Sequence, residues 1–332
     1  MRILFVFTGG TIGSTLSLGG IIAPEAQKAY KIIKAYSDKY TLDFDYDIVE
    51  PYTELSENNT GEHIALLCAA VKERLYGGYD GIIVTHGTDT LQYTAAALGY
   101  TLGSLTIPVC IVSANKPIEH SQSNGLINLH AAVCFIRERV GKGVFVPYRN
   151  AGDDSVYIHR GTRLLSAKTF SDDLASAFDK FYGYYNGNFK FIKNPTYSEL
   201  PDAMPPLDAG GLSERSKSIS VISAYPGMVY PEIRDGLKYI LLGSYHSGTV
   251  DTRSKMAREF FLDAKKKGVR IYVTGVTNGP EYESAALFES LSITPIKNIS
   301  PIAAYIKLWL LSSEDCDITE KLTLSLGADV VS

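Results

Sequence analysis

Hydroxyl groups set beside glycines, directly after apolar runs, are the side chains of this chain best placed to do chemistry. Thr8-Gly9-Gly10-Thr11-Ile12-Gly13 follows Ile3-Leu4-Phe5-Val6-Phe7, and Thr85-His86-Gly87-Thr88-Asp89-Thr90 follows Gly81-Ile82-Ile83-Val84. Each cluster falls where a buried strand should turn into a helix, and in open α/β sheets ligands bind in the crevice at the carboxyl ends of the strands. Two such turns on neighbouring strands would gather Thr11, Thr88 and Asp89 around one pocket. A threonine hydroxyl becomes a nucleophile once a base removes its proton. Adjacent glycines let the backbone approach a ligand closely, and amides at such a mouth stabilise an oxyanion. The combination points to acyl transfer with a threonine nucleophile. The alternative for the first turn is a phosphate-binding glycine loop, but its spacing has neither the dinucleotide fingerprint nor the Walker lysine.

In the second turn Gly87 permits a tight bend and Thr88 offers a further hydroxyl. The Asp89 carboxylate suits a substrate ammonium or a lysine, and equally suits capping of the helix that begins near Thr90. His86 reads as a structural histidine held by hydrogen bonds. No His, Cys and carboxylate cluster has metal-ligand spacing, so neither a metal nor another cofactor is expected. Cys68, Cys110, Cys134 and Cys316 are scattered, mostly in apolar runs. They fit no disulfide framework and read as free thiols in a reducing compartment.

The elements that must position these residues alternate between strand and helix. Ile3–Phe7, Phe44–Val49, Gly81–Val84, Val109–Ser113 and Gly143–Phe145 read as strands. Pro24–Ser37, Gly61–Leu75, Thr90–Leu102 and Asn124–Arg139 read as helices between them. This alternation predicts an α/β fold with a doubly wound, mainly parallel sheet covered on both faces. Pro195, Pro201, Pro205, Pro206 and Gly210-Gly211 then interrupt the pattern, which predicts a linker. Alternation resumes with Ser218–Ser223, Tyr239–Gly243, Lys255–Lys266, Arg270–Thr274 and Ile299–Ser312. At 332 residues two domains are expected: an N-terminal α/β catalytic domain over 1–194, a linker over 195–217 and a smaller C-terminal α/β domain over 218–332. A net charge of −4, with 45% hydrophobic and 20% charged residues, is that of a globular enzyme without the basic stripe of a nucleic-acid partner. No apolar stretch is long enough to span a membrane. Met1-Arg2 runs at once into a strand, which leaves no room for a signal peptide, so a cytoplasmic protein is expected.

The two turns resemble the two signatures of the bacterial-type L-asparaginase family, which includes glutaminase-asparaginases, and in particular its intracellular, type I-like members. Thr8-Gly9-Gly10-Thr11-Ile12 matches the first and His86-Gly87-Thr88-Asp89-Thr90 the second. Ser113-Ala114-Asn115-Lys116-Pro117 resembles a further strand-end segment, and Asn124-Gly125 through Asn128-Leu129 the helix after it. The resemblance implies attack by Thr11 on a side-chain amide carbonyl, release of ammonia and hydrolysis of an acyl-threonine, with Thr88 and a lysine assisting. It also implies that Ser56 and Asp89 hold the α-carboxylate and α-ammonium of an amino-acid substrate, a charge pairing such a substrate demands. Glu57 stands where some relatives carry glutamine. Gly87, Ser113 and Ala114 would line the pocket. Relatives complete the pocket from a second subunit, for which Ser247 and Glu283 are the candidates here, so a homodimer or homotetramer is implied.

Three departures from the family pattern stand out. Isoleucine falls where the family places a tyrosine, in Gly19-Gly20-Ile21-Ile22-Ala23-Pro24, although the glycines still suit a mobile lid. The lysine-bearing stretch resembles Arg160 to Lys168: spacing from Arg160 puts Ser166 at the lysine position, and counting back from Phe178 puts Lys168 there. The C-terminal half matches only in pattern. The expected activity is hydrolysis of L-asparagine to L-aspartate and ammonia. Rivals are hydrolysis of glutamine or of an amide on a larger carrier, and a catalytically impaired amino-acid-binding protein. The archaeal tRNA-dependent amidotransferase subunit of this superfamily carries an extra N-terminal module, and a chain opening at its first strand argues against that role.

Overall fold

The computed structural model describes residues 1–9, 14–16, 22–24, 29–279, 282–313 and 318–332, without the side chains of 14–16, 22–24, 29 and 30. The first sheet is built from β1 (Arg2–Phe7), β4 (Asp45–Val49), β5 (Gly81–Thr85), β6 (Pro108–Val112), β7 (Gly143–Tyr148), β8 (Val156–Arg160), β9 (Gly183–Tyr185) and β10 (Phe191–Lys193). A separate hairpin pairs β2 (Ser14–Leu16) with β3 (Ile22–Pro24). The eight strands of the large sheet lie in the order β10-β9-β8-β7-β6-β5-β1-β4. Strands β4, β1, β5, β6 and β7 run parallel, and β8 to β10 extend the sheet antiparallel. A second sheet holds β11 (Ile219–Ser223), β12 (Tyr239–Gly243), β13 (Arg270–Val276) and β14 (Ile293–Lys297), all parallel and in chain order. The fold is therefore α/β, with a large mainly parallel sheet and a smaller parallel one.

The helices are α1 (Ala29–Lys39), α2 (Gly61–Lys72), α3 (Leu91–Leu102), α4 (Gly125–Arg137), α5 (Leu212–Arg215), α6 (Lys255–Lys266), α7 (Glu283–Ala286), α8 (Pro301–Leu311) and α9 (Ile318–Thr323). Period-two alternation assigns the faces of the strands. Leu4, Val6, Ile82 and Val84 join α2 and α3 in one apolar cluster, whereas Ile3, Phe5 and Ile83 join α1 and α4 in another. Strands β5 and β6 are buried along their whole length, as strands covered on both faces must be.

One local expectation is corrected, and two stretches hold elements that the sequence pattern does not show. Pro24, expected to open a helix, pairs with Ser14 in β3, and α1 starts at Ala29 among the described residues; proline lacks the amide a helix interior needs. The proline-rich 195–217 stretch contains α5, because buried Leu212 anchors it and the Trp309 indole donates to the Leu212 carbonyl at 2.9 Å. The antiparallel strands β8 to β10 escape the sequence pattern, since β9 and β10 are three residues each, too short to show a period.

The strand order fixes where a ligand can enter. The chain leaves β1 to place β4 on one side, then returns past β1 to place β5 on the other. The loops after β1 and β5 thus diverge to opposite sides, and such a topological switch point leaves a crevice outside the strand ends.

The two sheets share an interior. The cluster on the α2 and α3 side of the large sheet continues through α8 to Tyr239, Leu241, Tyr272 and Ile296 of the second sheet, whose far face packs on α6. Inside it lies a charged group with no access to solvent. Lys307 Nζ donates to Asp329 Oδ2 at 2.8 Å, and the Tyr100 hydroxyl donates to the same oxygen at 2.9 Å. The amide of Leu326 donates to Asp329 Oδ1 at 3.0 Å. Removing one partner of a buried ion pair leaves the other charge unpaired and costs about 3–5 kcal/mol. Asp329→Ala should lower the unfolding free energy by about that amount, and Lys307→Met with Asp329→Leu should lose clearly less. Urea unfolding of both variants checks the order.

Candidate active site

The switch point is held together by hydrogen bonds between the two loops. At the end of β1 the Thr8 hydroxyl donates to the Thr85 carbonyl at 2.6 Å, and the Thr8 carbonyl accepts from the Glu54 amide at 3.0 Å. Gly9 takes φ +95°, and a Cβ there would lie 2.4 Å from the Glu54 carbonyl oxygen, so this crossing of backbones requires glycine. Glu54 leads into a short 3-10 turn over Ser56–Asn58. The Thr90 hydroxyl donates to the Ser56 carbonyl at 2.8 Å, which fixes that turn to the start of α3.

His86 is the core of the second turn. Asn59 Nδ2 lies 3.1 Å from His86 Nε2, and His86 Nδ1 lies 2.7 Å from the Gly87 carbonyl oxygen. An amide donor at one nitrogen and a carbonyl at the other assign the proton to Nδ1. Burial holds this imidazole neutral by lowering its pKa from 6.5 to about 4, against the smaller opposing effect of the Gly87 carbonyl. Asp89 does not cap α3. The cap position is Thr90's, and the exposed Asp89 carboxylate bonds no described side chain or amide, which leaves it open to a ligand. Thr88 beside it is half-buried and Gly87 is buried.

On the other flank, β6 is followed by Ser113-Ala114. Asn128 Nδ2 donates to the Ser113 carbonyl at 2.9 Å, while Asn128 Oδ1 accepts from the Arg149 amide at 2.9 Å. Asn115 and Asn124 each take the other's amide on a side-chain oxygen, at 2.9 and 3.1 Å. A Cβ on Gly125 would stand 2.9 Å from that of Ala114, so α4 packs hard against the strand end. Asn59, which bonds the His86 ring, and Asn128, which bonds backbone, are bracing residues that sequence reasoning did not assign. Such bonds leave no periodic signal.

The hydroxyls Ser56 Oγ, Thr85 Oγ1 and Ser113 Oγ around these strand ends are buried without a partner among the described residues. Buried polar groups are nearly always satisfied, so unpaired hydroxyls at strand ends whose loops also carry the exposed Asp89 make this a candidate place for a polar ligand. The expected residues Ser56, Gly87, Thr88, Asp89, Ser113 and Ala114 thus come from adjoining strand-end segments. Glu57 is on the same turn as Ser56, with its side chain exposed. Thr11 lies outside the described residues, as do Ile21 and Cys316.

The remaining expectations are placed elsewhere. Lys168, expected as the relay lysine, is exposed on the irregular 165–170 stretch and bonds no described residue through its side chain. Ser166, its alternative by spacing, lines a cavity with Tyr93 of α3 and Tyr305 of α8. Ser247 and Glu283 sit past strand ends of the second sheet. The Ser247 hydroxyl is 3.0 Å from that of Thr249, Glu283 pairs with Arg253, and no bond joins either to Ser56, Thr88 or Asp89. Cys68 and Cys110 are buried, and burial pushes the Cys68 thiol up to about 11, so neither is poised as a nucleophile.

The family model described as "Asparaginase, N-terminal" matches residues 2–196. The chain belongs to the asparaginase family. It has the fold of an asparaginase-family amidohydrolase across its whole length. The thermostable L-asparaginase from Thermococcus kodakarensis superposes with a TM-score of 0.79 at 21% identity, covering 100% of both chains. A probable cytoplasmic L-asparaginase from Campylobacter jejuni gives 0.76 at 22%, covering 97% of this chain and 98% of that one. At such identities the likeness is one of fold. Among curated proteins, a glutamyl-tRNA(Gln) amidotransferase subunit from Pyrobaculum aerophilum is 26% identical over 331 residues, covering 94% of this chain and 75% of its own. The protein of the same name from Sulfurisphaera tokodaii is 26% identical over 348 residues, with 98% and 74% covered. Among the described residues, no helix is long and apolar enough to cross a membrane.

The neutral histidine of this asparaginase-family site makes stability depend on pH. Between 6.5 and about 4 the unfolded chain protonates His86 while the folded state does not. The unfolded state then binds more protons, so this contribution is complete above 6.5 and is lost as pH falls toward 4. The slope is at most about 1.4 kcal/mol per pH unit for one group. Buried His159 is shifted the same way by burial and adds its own slope. His86→Gln should reduce the loss of stability on acidification. Urea titrations of both proteins across that range check it, and equal slopes would remove His86 from the account.

Proposed function

We propose that the chain hydrolyses the side-chain amide of L-asparagine to L-aspartate and ammonia, with Thr11 as nucleophile and an acyl-threonine intermediate. The observation that carries this reading is the seam at the switch point. Thr8 bonds Thr85, Thr90 bonds Ser56, the Ser56 and Ser113 hydroxyls are buried with no partner among the described residues, and Asp89 on the neighbouring strand-end loop is exposed. In this reading Asp89 holds the α-ammonium and Ser56 the α-carboxylate, with Gly87, Ser113, Ala114 and Glu57 shaping the pocket. An ammonium between carboxylates and a carboxylate among donors is the complement of a free amino acid. Family membership supports Thr11, and the bonded position of Thr8 and Gly9 at the start of its turn supports it further. Thr88 assists proton transfer, with Lys168 as the lysine of the relay. Ser247 and Glu283 reach the site of a neighbouring subunit in a homodimer or homotetramer, and the enzyme acts in the cytoplasm without a cofactor.

A second reading is favoured by the curated relatives, which match both sheets and are named as parts of an amidotransferase. In it the amide hydrolysed is that of glutamine, and the ammonia passes to an acceptor. Comparing ammonia release from free asparagine and free glutamine separates the two.

Thr11→Ala should reduce turnover of the preferred amide by about a thousand-fold or more. Thr88→Ala should do so to a similar degree, because residues acting as a unit fail together. An undiminished rate in Thr11→Ala would sink the nucleophile assignment. Aspartate binding by calorimetry with no ammonia release from the unsubstituted protein would establish the binding protein instead.

A further inference from the structure

Residues 327–330 run through the interior between the elements that carry the candidate residues. The Thr162 hydroxyl donates to the Gly327 carbonyl at 2.7 Å. The Arg163 guanidinium donates to the carbonyls of Ala328 at 2.7 Å, Val330 at 3.3 Å and Ser198 at 2.7 Å. Gly327 takes φ +61°, and a Cβ there would come 2.8 Å from the Gly99 carbonyl oxygen of α3. A Cβ on Gly99 would in turn meet the Thr162 methyl at 2.7 Å. Two residues on, Asp329 holds Tyr100 of the same helix. One stretch of irregular backbone is therefore bonded both to α3, which begins just after Thr88-Asp89, and to the 3-10 turn Gly161–Arg163.

The turn at Gly161–Arg163 leads straight to the candidate loop. Leu164 bridges Ser176, and the Leu165 amide donates to the Ala175 carbonyl at 2.9 Å. These contacts close a loop that holds Ser166 and Lys168. Its position against α3 is set at its base, two residues from Thr162.

We infer that Thr162 is a positioning residue: its bond to Gly327 fixes the 164–176 loop, with Ser166 and Lys168, relative to the turn that presents Thr88 and Asp89. The inference rests on the proposed function, in that both stretches serve one reaction. Thr162 is the informative member of the clamp because it carries no charge. Its replacement leaves no ion unpaired, and Arg160 Nε still lies 3.3 Å from the Gly327 carbonyl oxygen.

The test compares Thr162→Val, which removes the donor, with Thr162→Ser, which keeps it. Hydrogen exchange is read on peptides covering 164–176, with 239–243 as internal reference, alongside kcat and KM for ammonia release from asparagine and glutamine. Thr162→Val should speed exchange in 164–176 by about ten-fold, the scale of one buried hydrogen bond. It should lower kcat by about ten-fold and change KM by less than about three-fold. Thr162→Ser should match the unsubstituted protein in both. Unchanged exchange in 164–176 overturns the clamp, and equal acceleration at 239–243 marks a general loss of stability and overturns it too. Faster local exchange with unchanged kcat overturns the positioning role. A protein that releases ammonia from neither amide refutes the proposed function by itself, and the exchange data then still uphold or overturn the clamp.

Discussion

The site depends on one short hydrogen bond, from the Thr8 hydroxyl to the Thr85 carbonyl. Strands β1 and β5 are parallel neighbours in register to their last pair, Phe7 with Thr85. Beyond it the chain turns to opposite sides of the sheet, and nothing in the ladder itself keeps the two exits together. A hydroxyl reaching across the seam does so without filling the crevice. On one side Gly9 lets the Glu54 segment cross the β1 exit, and on the other His86 bonds the carbonyl end of β6 through its amide. Everything proposed for the ligand follows from keeping these exits adjacent.

Much of this was legible in the sequence, for a physical reason. Strands buried on both faces are short unbroken apolar runs, and the turns that follow them need glycine and small hydroxyl residues. Both signals are local, so the turns at Thr8 and Thr85 could be placed and assigned to strand ends. Thr88 and Asp89 could be read from those turns themselves, and Ser56 and Ser113 followed from the family resemblance.

The illegible parts depend on contacts distant in the chain. Asn59 and Asn128 act by bonding groups on other elements, and nothing in the local pattern tells such an asparagine from one that faces solvent. The capping role allowed for Asp89 is taken by no side chain: Thr90 stands at the cap position, and its hydroxyl donates to the Ser56 carbonyl instead. Lys168 illustrates the limit of counting along a loop: two reference points gave different positions, and neither count reveals which way a side chain turns. Strands β9 and β10 at the antiparallel end of the large sheet escaped because, at three residues each, they are shorter than the window in which alternation can be seen.

The apolar cluster that runs from the large sheet through α8 into the small one has a further consequence. Neither sheet owns that interior: cutting the chain between them would expose a face of α3 on one fragment and the buried Lys307 on the other. Contiguous packing of this kind couples local openings into a single cooperative event. Heat should therefore melt the molecule in one step, with the calorimetric and van't Hoff enthalpies agreeing, although its backbone draws as two bodies.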